Sequence, residues 1–101
     1  MIKYEFYIGC NDKDNKKDNS DAIIERVKLF FLEKFRFYTM SILEGAYTHN
    51  DNTVVTEKTC KIELILNNEL CDVELICATL KELCNQESIL VTISEVNGGL
   101  Y

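Results

Sequence analysis

The sequence predicts an α+β fold: a ferredoxin-like βαββαβ two-layer sandwich, with a four-stranded mixed or antiparallel sheet and two helices on one face. Three features point there. Four stretches repeat apolar residues at every second position, two repeat them every three or four, and each helical stretch separates two strands. A helical crossover wants the strands it joins to run in the same direction, whereas a short polar turn makes its flanking strands antiparallel. A chain of 101 residues is expected to form one domain, residues 1–101.

The elements follow in order. Ile2 to Ile8 places Ile2, Tyr4, Phe6 and Ile8 on one face and Lys3, Glu5 and Tyr7 on the other, a half-buried strand that Gly9 ends. Asn11 to Asp21 has no apolar residue and reads as a solvated loop, with Ser20 or Asn19 able to cap the next helix and Asp21 suited to its first turn. Asp21 to Phe35 carries Ile23, Ile24, Val27, Phe30 and Phe31 at helical spacing. Phe37 to Thr48 alternates Met40 and Ile42 against Thr39, Ser41 and Leu43, a strand in which Gly45 could mark a bulge. Thr48 to Thr53 has turn chemistry, and Val54 to Leu66 is the partner strand, with Cys60, Ile62, Leu64 and Leu66 inward and Lys61, Glu63 and Ile65 outward. Asn67-Asn68-Glu69 breaks the pattern. Asp72 can cap a second helix running to about Cys84, and Ser88 to Val96 is the last strand, with Ile89, Val91 and Ile93 against Leu90, Thr92 and Ser94.

Composition narrows the function classes. Acidic residues outnumber basic ones 17 to 11, giving a net charge of -6, so the clustered Lys and Arg of a nucleic-acid binder are not expected. No apolar run approaches the ~18 residues of a membrane span, and the opening Met-Ile-Lys-Tyr-Glu has no signal-peptide pattern. The five cysteines, Cys10, Cys60, Cys71, Cys77 and Cys84, include no C-x-x-C pair, which argues against structural zinc and iron–sulfur sites. An odd number of thiols without a signal peptide fits a reducing cytoplasm. The chain is rich in Asn, Ile and Lys, with three Ala, two Arg and no Pro, the bias that AT-rich codons produce.

The opening Tyr-Glu-Phe-Tyr-Ile-Gly-Cys-Asn-Asp-Lys-Asp, the Leu43-Glu-Gly-Ala-Tyr-Thr-His-Asn hairpin and the late Leu83-Cys-Asn-Gln-Glu-Ser-Ile resemble small uncharacterised proteins of Firmicute phages and mobile elements. The chain is also distantly similar to a domain-of-unknown-function family with a Gly-rich hairpin between two such strands. These resemblances imply a phage or mobile-element setting and bring no activity with them.

Asp12, Asp14, Asp18 and Asp21 suggest a calcium loop, but Lys16 stands where an oxygen ligand belongs and no Glu closes the loop, so no metal is expected. The same loop joins a strand end to a helix N-terminus, where Gly9, Asn11, Lys13, Lys16 and Lys17 could receive a small anionic, nucleotide-like ligand. No Gly-rich phosphate signature accompanies them. His49, the sole histidine, falls at the hairpin turn, away from a nucleophile such as Cys10 or Ser41. Glu5 and Glu63 could face each other, without an apolar pocket to raise one carboxyl. Cys77 and Cys84 lie on an apolar helix stripe; Cys10, beside the polar loop, is the one with expected access to solvent. Tyr7, Leu43, Ile65 and Leu90 fall on the sheet face away from the helices, a candidate interface.

The sequence therefore points to a non-enzymatic, cytoplasmic binding protein without cofactor. It would pair with itself as a homodimer or bind a host or phage protein, for instance as an inhibitor, and would touch neither nucleic acid nor membrane. The alternative is a protein that binds or sequesters a small anionic ligand.

Overall fold

The computed structural model describes residues 1–67 and 71–101. Its elements follow the expected order: β1 (Ile2–Gly9), α1 (Ser20–Phe35), β2 (Thr39–Thr48), β3 (Val54–Leu66), α2 (Val73–Cys84) and β4 (Leu90–Glu95). The expected pattern break at Asn67-Asn68-Glu69 lies outside the described residues from Asn68 onward.

The sheet order is β2-β3-β1-β4, and every neighbouring pair is antiparallel. Each crossover skips one strand. β1 and β2 share a direction with β3 between them, and β3 and β4 share one with β1 between them. This reconciles parallel-running crossovers with a wholly antiparallel ladder.

One face of the sheet carries the core. Tyr4, Phe6 and Ile8 of β1 and Cys60, Ile62, Leu64 and Leu66 of β3 pack against Ile23, Val27 and Phe31 of α1 and Ile76, Leu80 and Cys84 of α2. Phe31 is the pivot, its ring 5.4 Å from Phe6, 5.1 Å from Phe30 and 5.9 Å from Phe35. The helices cover the two central strands; on the edge strands the helix-side residues Ile42 and Ile93 stay 46% and 57% exposed.

The termini of the elements show where local chemistry differs from the expected form. Neither Ser20 nor Asn19 caps α1 through its side chain. Instead the Asp18 carboxylate accepts from Ser20 N–H at 2.9 Å and from the Ser20 hydroxyl at 3.2 Å. Asp72 caps α2 as expected, accepting from Leu75 N–H at 3.1 Å. The β2–β3 register runs unbroken through Glu44↔Lys58, Gly45↔Glu57 and Ala46↔Thr56, so Gly45 makes no bulge. Among the described residues no helix is long and apolar enough to cross a membrane.

Candidate functional site

β1 stops at Gly9, opposite Thr59, while β2 and β3 continue together as far as Thr48↔Val54. The hairpin therefore projects past the end of β1, and the chain leaving Gly9 folds back beside it. A cleft of about 450 Å³ lies between them. Tyr47, His49, Val55, Glu57 and Thr59 of the hairpin form one wall. Asn11, Asp12, Lys13 and Lys16 form the second, and Gln86, Glu87 and Ser88, between α2 and β4, the third. Tyr7, Gly9 and Leu90 complete the lining.

The loop after β1 is ordered by its own polar groups. Asp12 Oδ1 accepts from Asp14 N–H at 2.9 Å and Asn15 N–H at 3.1 Å, a local turn closed by Lys16 in the left-handed region. The loop is then pinned to the end of α2. Asn85 Nδ2 donates to Asp12 Oδ2 at 2.8 Å and to Asp14 Oδ2 at 2.9 Å, and Gln86 Nε2 donates to the Asn11 carbonyl at 2.7 Å. The Asn85 amide, helped by the Asn15 and Asp14 backbone N–H groups, holds the Asp12 carboxyl below its ordinary range. These oxygens are already satisfied, and among the described residues no group of three or more metal-binding side chains converges. Asp18 likewise occupies the N-terminus of α1, so that helix end offers an incoming anion little.

Across the cleft, Glu57 Oε2 accepts from Asn11 N–H at 3.0 Å. Its carboxylate lies over Gly9, where a Cβ would approach it to 2.9 Å. Tyr47 and His49 meet edge to face at 5.2 Å. The cleft thus sets Glu57, Glu87 and Asp12 among two tyrosine rings, with Lys13 and Lys16 on the loop side. Such a lining suits a ligand that carries positive charge as well as a carboxylate, better than a bare phosphate.

Four of the five expected ligand residues, Gly9, Asn11, Lys13 and Lys16, line this cleft; Lys17 does not. His49, read as an isolated turn residue, joins them because the hairpin extends past the end of β1 and its tip lines the cleft. Glu57, Glu87 and Tyr47 escaped the sequence reading. Periodicity assigns a strand residue to a face without saying what the loop opposite brings to it, and only Gly9, ending one strand across from the other, could have signalled a close approach.

The expected interface residues Tyr7, Leu43, Ile65 and Leu90 do share the open sheet face, but they do not form one patch. Tyr7 pairs with Leu90, whereas Leu43 lies opposite Thr59 and Ile65 opposite Lys3. Between Ile65 and Tyr7 runs the Glu5↔Glu63 row, part of an ion lattice. Lys61 Nζ is 2.8 Å from Glu5, and Lys3 Nζ is 3.7 Å from Glu63. The Lys61 bond, then that from the Thr92 hydroxyl, holds the Glu5 carboxyl below its usual range, the opposite of a poised acid.

Cys10 is fully buried, contrary to its expected access to solvent. Burial pushes the thiols of Cys10 and Cys84 up to about 11 and that of Cys60 up to about 12. None is a ready nucleophile at neutral pH.

No protein-family model matches the chain, and no curated protein matches it either. Two solved structures do. Both are of a phage SAM lyase, one in the apo state and one in complex with S-methyl-5'-thioadenosine. The apo form is 21% identical with a TM-score of 0.64, covering 92% of this chain and 78% of that one; the complex is likewise 21% identical at 0.64, covering 93% and 80%. At this identity the likeness establishes a shared fold. It also overturns the non-enzymatic expectation, because the reason for it, the want of a nucleophile–base pair, does not separate this fold from that of a lyase.

Proposed function

We propose that this chain binds S-adenosylmethionine in the cleft at the hairpin end of the sheet and cleaves it to S-methyl-5'-thioadenosine. The observation that carries the proposal is the fold shared with the phage SAM lyase over more than nine-tenths of this chain. The chemistry of the cleft supports it. The substrate has a positive sulfonium, a nucleoside and an arm bearing an ammonium and a carboxylate. The product keeps the methyl and adenosyl groups, so the bond between sulfur and the arm must break, with its electron pair passing to sulfur. The carbon left behind either bonds to the arm's own carboxylate oxygen, closing a lactone, or forms a double bond to its neighbour, whose proton passes to a base. The first route asks the protein for no nucleophile, which is why a sequence lacking one is compatible with the reaction.

In this reading the Glu57 carboxylate faces the sulfonium, Tyr7 and Tyr47 offer rings to the cation and the nucleobase, and Lys13 and Lys16 receive the arm's carboxylate. The ligand is nucleoside-like, as the small-ligand alternative held, but cationic at sulfur rather than anionic. The same likeness supports the phage or mobile-element setting.

Chromatography with mass detection tests the proposal. Purified protein incubated with S-adenosylmethionine should accumulate S-methyl-5'-thioadenosine. Glu57→Gln should raise KM by on the order of tenfold, since the positive charge is greatest before the bond breaks. No product, and no calorimetric binding of either compound, would remove the proposal.

A further inference from the structure

We infer that Gly9 is a positioning residue: the Glu57 carboxylate packs into the room that a Gly9 side chain would need, and from there it faces the ligand's positive centre. The inference rests on the reading of the cleft as a sulfonium site. No glycine of the described chain has a positive φ, so the backbone does not require glycine at the end of β1. What requires it is space. A Cβ on Gly9 would stand 2.9 Å from Glu57 Oε1 and 3.0 Å from its Cδ and Oε2. The carboxylate is the flexible partner, so it, and not the strand, would give way.

A second contact fixes the carboxylate from the loop. Asn11 N–H donates to Glu57 Oε2 at 3.0 Å, and Asn11 is itself held through its carbonyl by Gln86 Nε2 at 2.7 Å. Two residues past the strand end, the chain thus supplies the donor; the strand's last residue supplies the room. A charge held in place before the ligand arrives needs no reorganisation on binding, which is where its advantage over a freely rotating glutamate lies. Gly45, the β2 partner of Glu57, is a natural control: a Cβ there meets only the Glu57 carbonyl oxygen, at an ordinary 3.9 Å.

The test is a double-mutant cycle on Gly9→Ala and Glu57→Gln, with Gly45→Ala alongside. Gly45→Ala, outside the cleft, should bind S-methyl-5'-thioadenosine and S-adenosylmethionine within about twofold of wild type, and Gly9→Ala should keep a cooperative melt. The KM of Gly9→Ala for S-adenosylmethionine should rise about tenfold, and the double variant should be no worse than Glu57→Gln alone. Glu57→Asp, charged but one methylene short of the seat, should lose most of the same affinity. Wild-type KM in Gly9→Ala, or losses that multiply in the double variant, would overturn the inference. A structural readout separates this failure from failure of the lyase reading. By NMR the Asn11 amide proton should move when Glu57→Gln is made in the wild-type background, and should stay in place when it is made on Gly9→Ala. A shift that persists overturns the positioning role even if no turnover is ever seen.

Discussion

Replacing Phe31 by alanine removes the ring that joins α1 to the sheet. Phe31 is fully buried and touches Phe6 of β1, while Phe30 and Phe35 flank it on its own helix. Truncating a buried phenylalanine costs about 3–5 kcal/mol, because the transfer energy of the ring is lost and the surrounding side chains only partly close the cavity. A domain of this length has a total stability of roughly 5–15 kcal/mol. The variant should therefore sit near the edge of folding, with a melting temperature lower by on the order of 15–30 °C. Urea denaturation followed by circular dichroism measures the loss; the slope should stay that of the wild type, since the same surface is exposed on unfolding. Phe30→Ala is the internal comparison. Its ring is only half-buried, so it should cost clearly less. A loss below about 1 kcal/mol for Phe31→Ala, or a larger loss for Phe30→Ala, would refute the placement of the Phe31 ring at the centre of the core.

Three further outcomes are expected. Because the Lys61 ammonium holds the Glu5 carboxyl low, this pair adds stability that is full above the ordinary glutamate range and fades as pH falls through Glu5's lowered value. Lys61→Met should flatten that part of the pH–stability curve measured by urea titration, and an unchanged curve would show the pair to be inert. In native protein, a thiol alkylating agent should reach Cys71 and Cys77 first and leave Cys10, Cys60 and Cys84 unmodified until unfolding, as peptide mass mapping would reveal; early labelling of Cys10 counts against its burial. Ile65→Lys, at a residue 43% exposed on the open sheet face, should stay folded and lose little stability in urea denaturation. An Ile65→Lys variant that unfolds would place the residue in the core instead.

Much of the fold was legible in the sequence because burial here follows simple periods. In β1 and β3 the helix-side residues alternate strictly, and Ile23, Val27 and Phe31 recur at helical spacing, so local pattern and tertiary burial agree. Polarity between these stretches marked the loops, and the turn at Thr48 to Thr53 set the hairpin. The strand parity that placed Tyr7, Leu43, Ile65 and Leu90 on one face came from the same period of two.

Tertiary structure alone decided the rest. Strand order fixes which rows of the open face are neighbours, and this put the Glu5↔Glu63 row, paired with Lys61 and Lys3, between Ile65 and Tyr7. It also buried Cys10, whose polar neighbours in sequence point elsewhere in space. The cleft is assembled from three segments, about Gly9–Lys16, Tyr47–Thr59 and Gln86–Leu90, that no local period relates to one another. Glu57 gains its surroundings from Gly9 and Asn11, 46 residues away from Asn11 along the chain. A period along the sequence assigns a residue to a face; the meeting of distant strand ends and loops that makes a binding site depends on register, strand order and the length by which one hairpin outruns its neighbour.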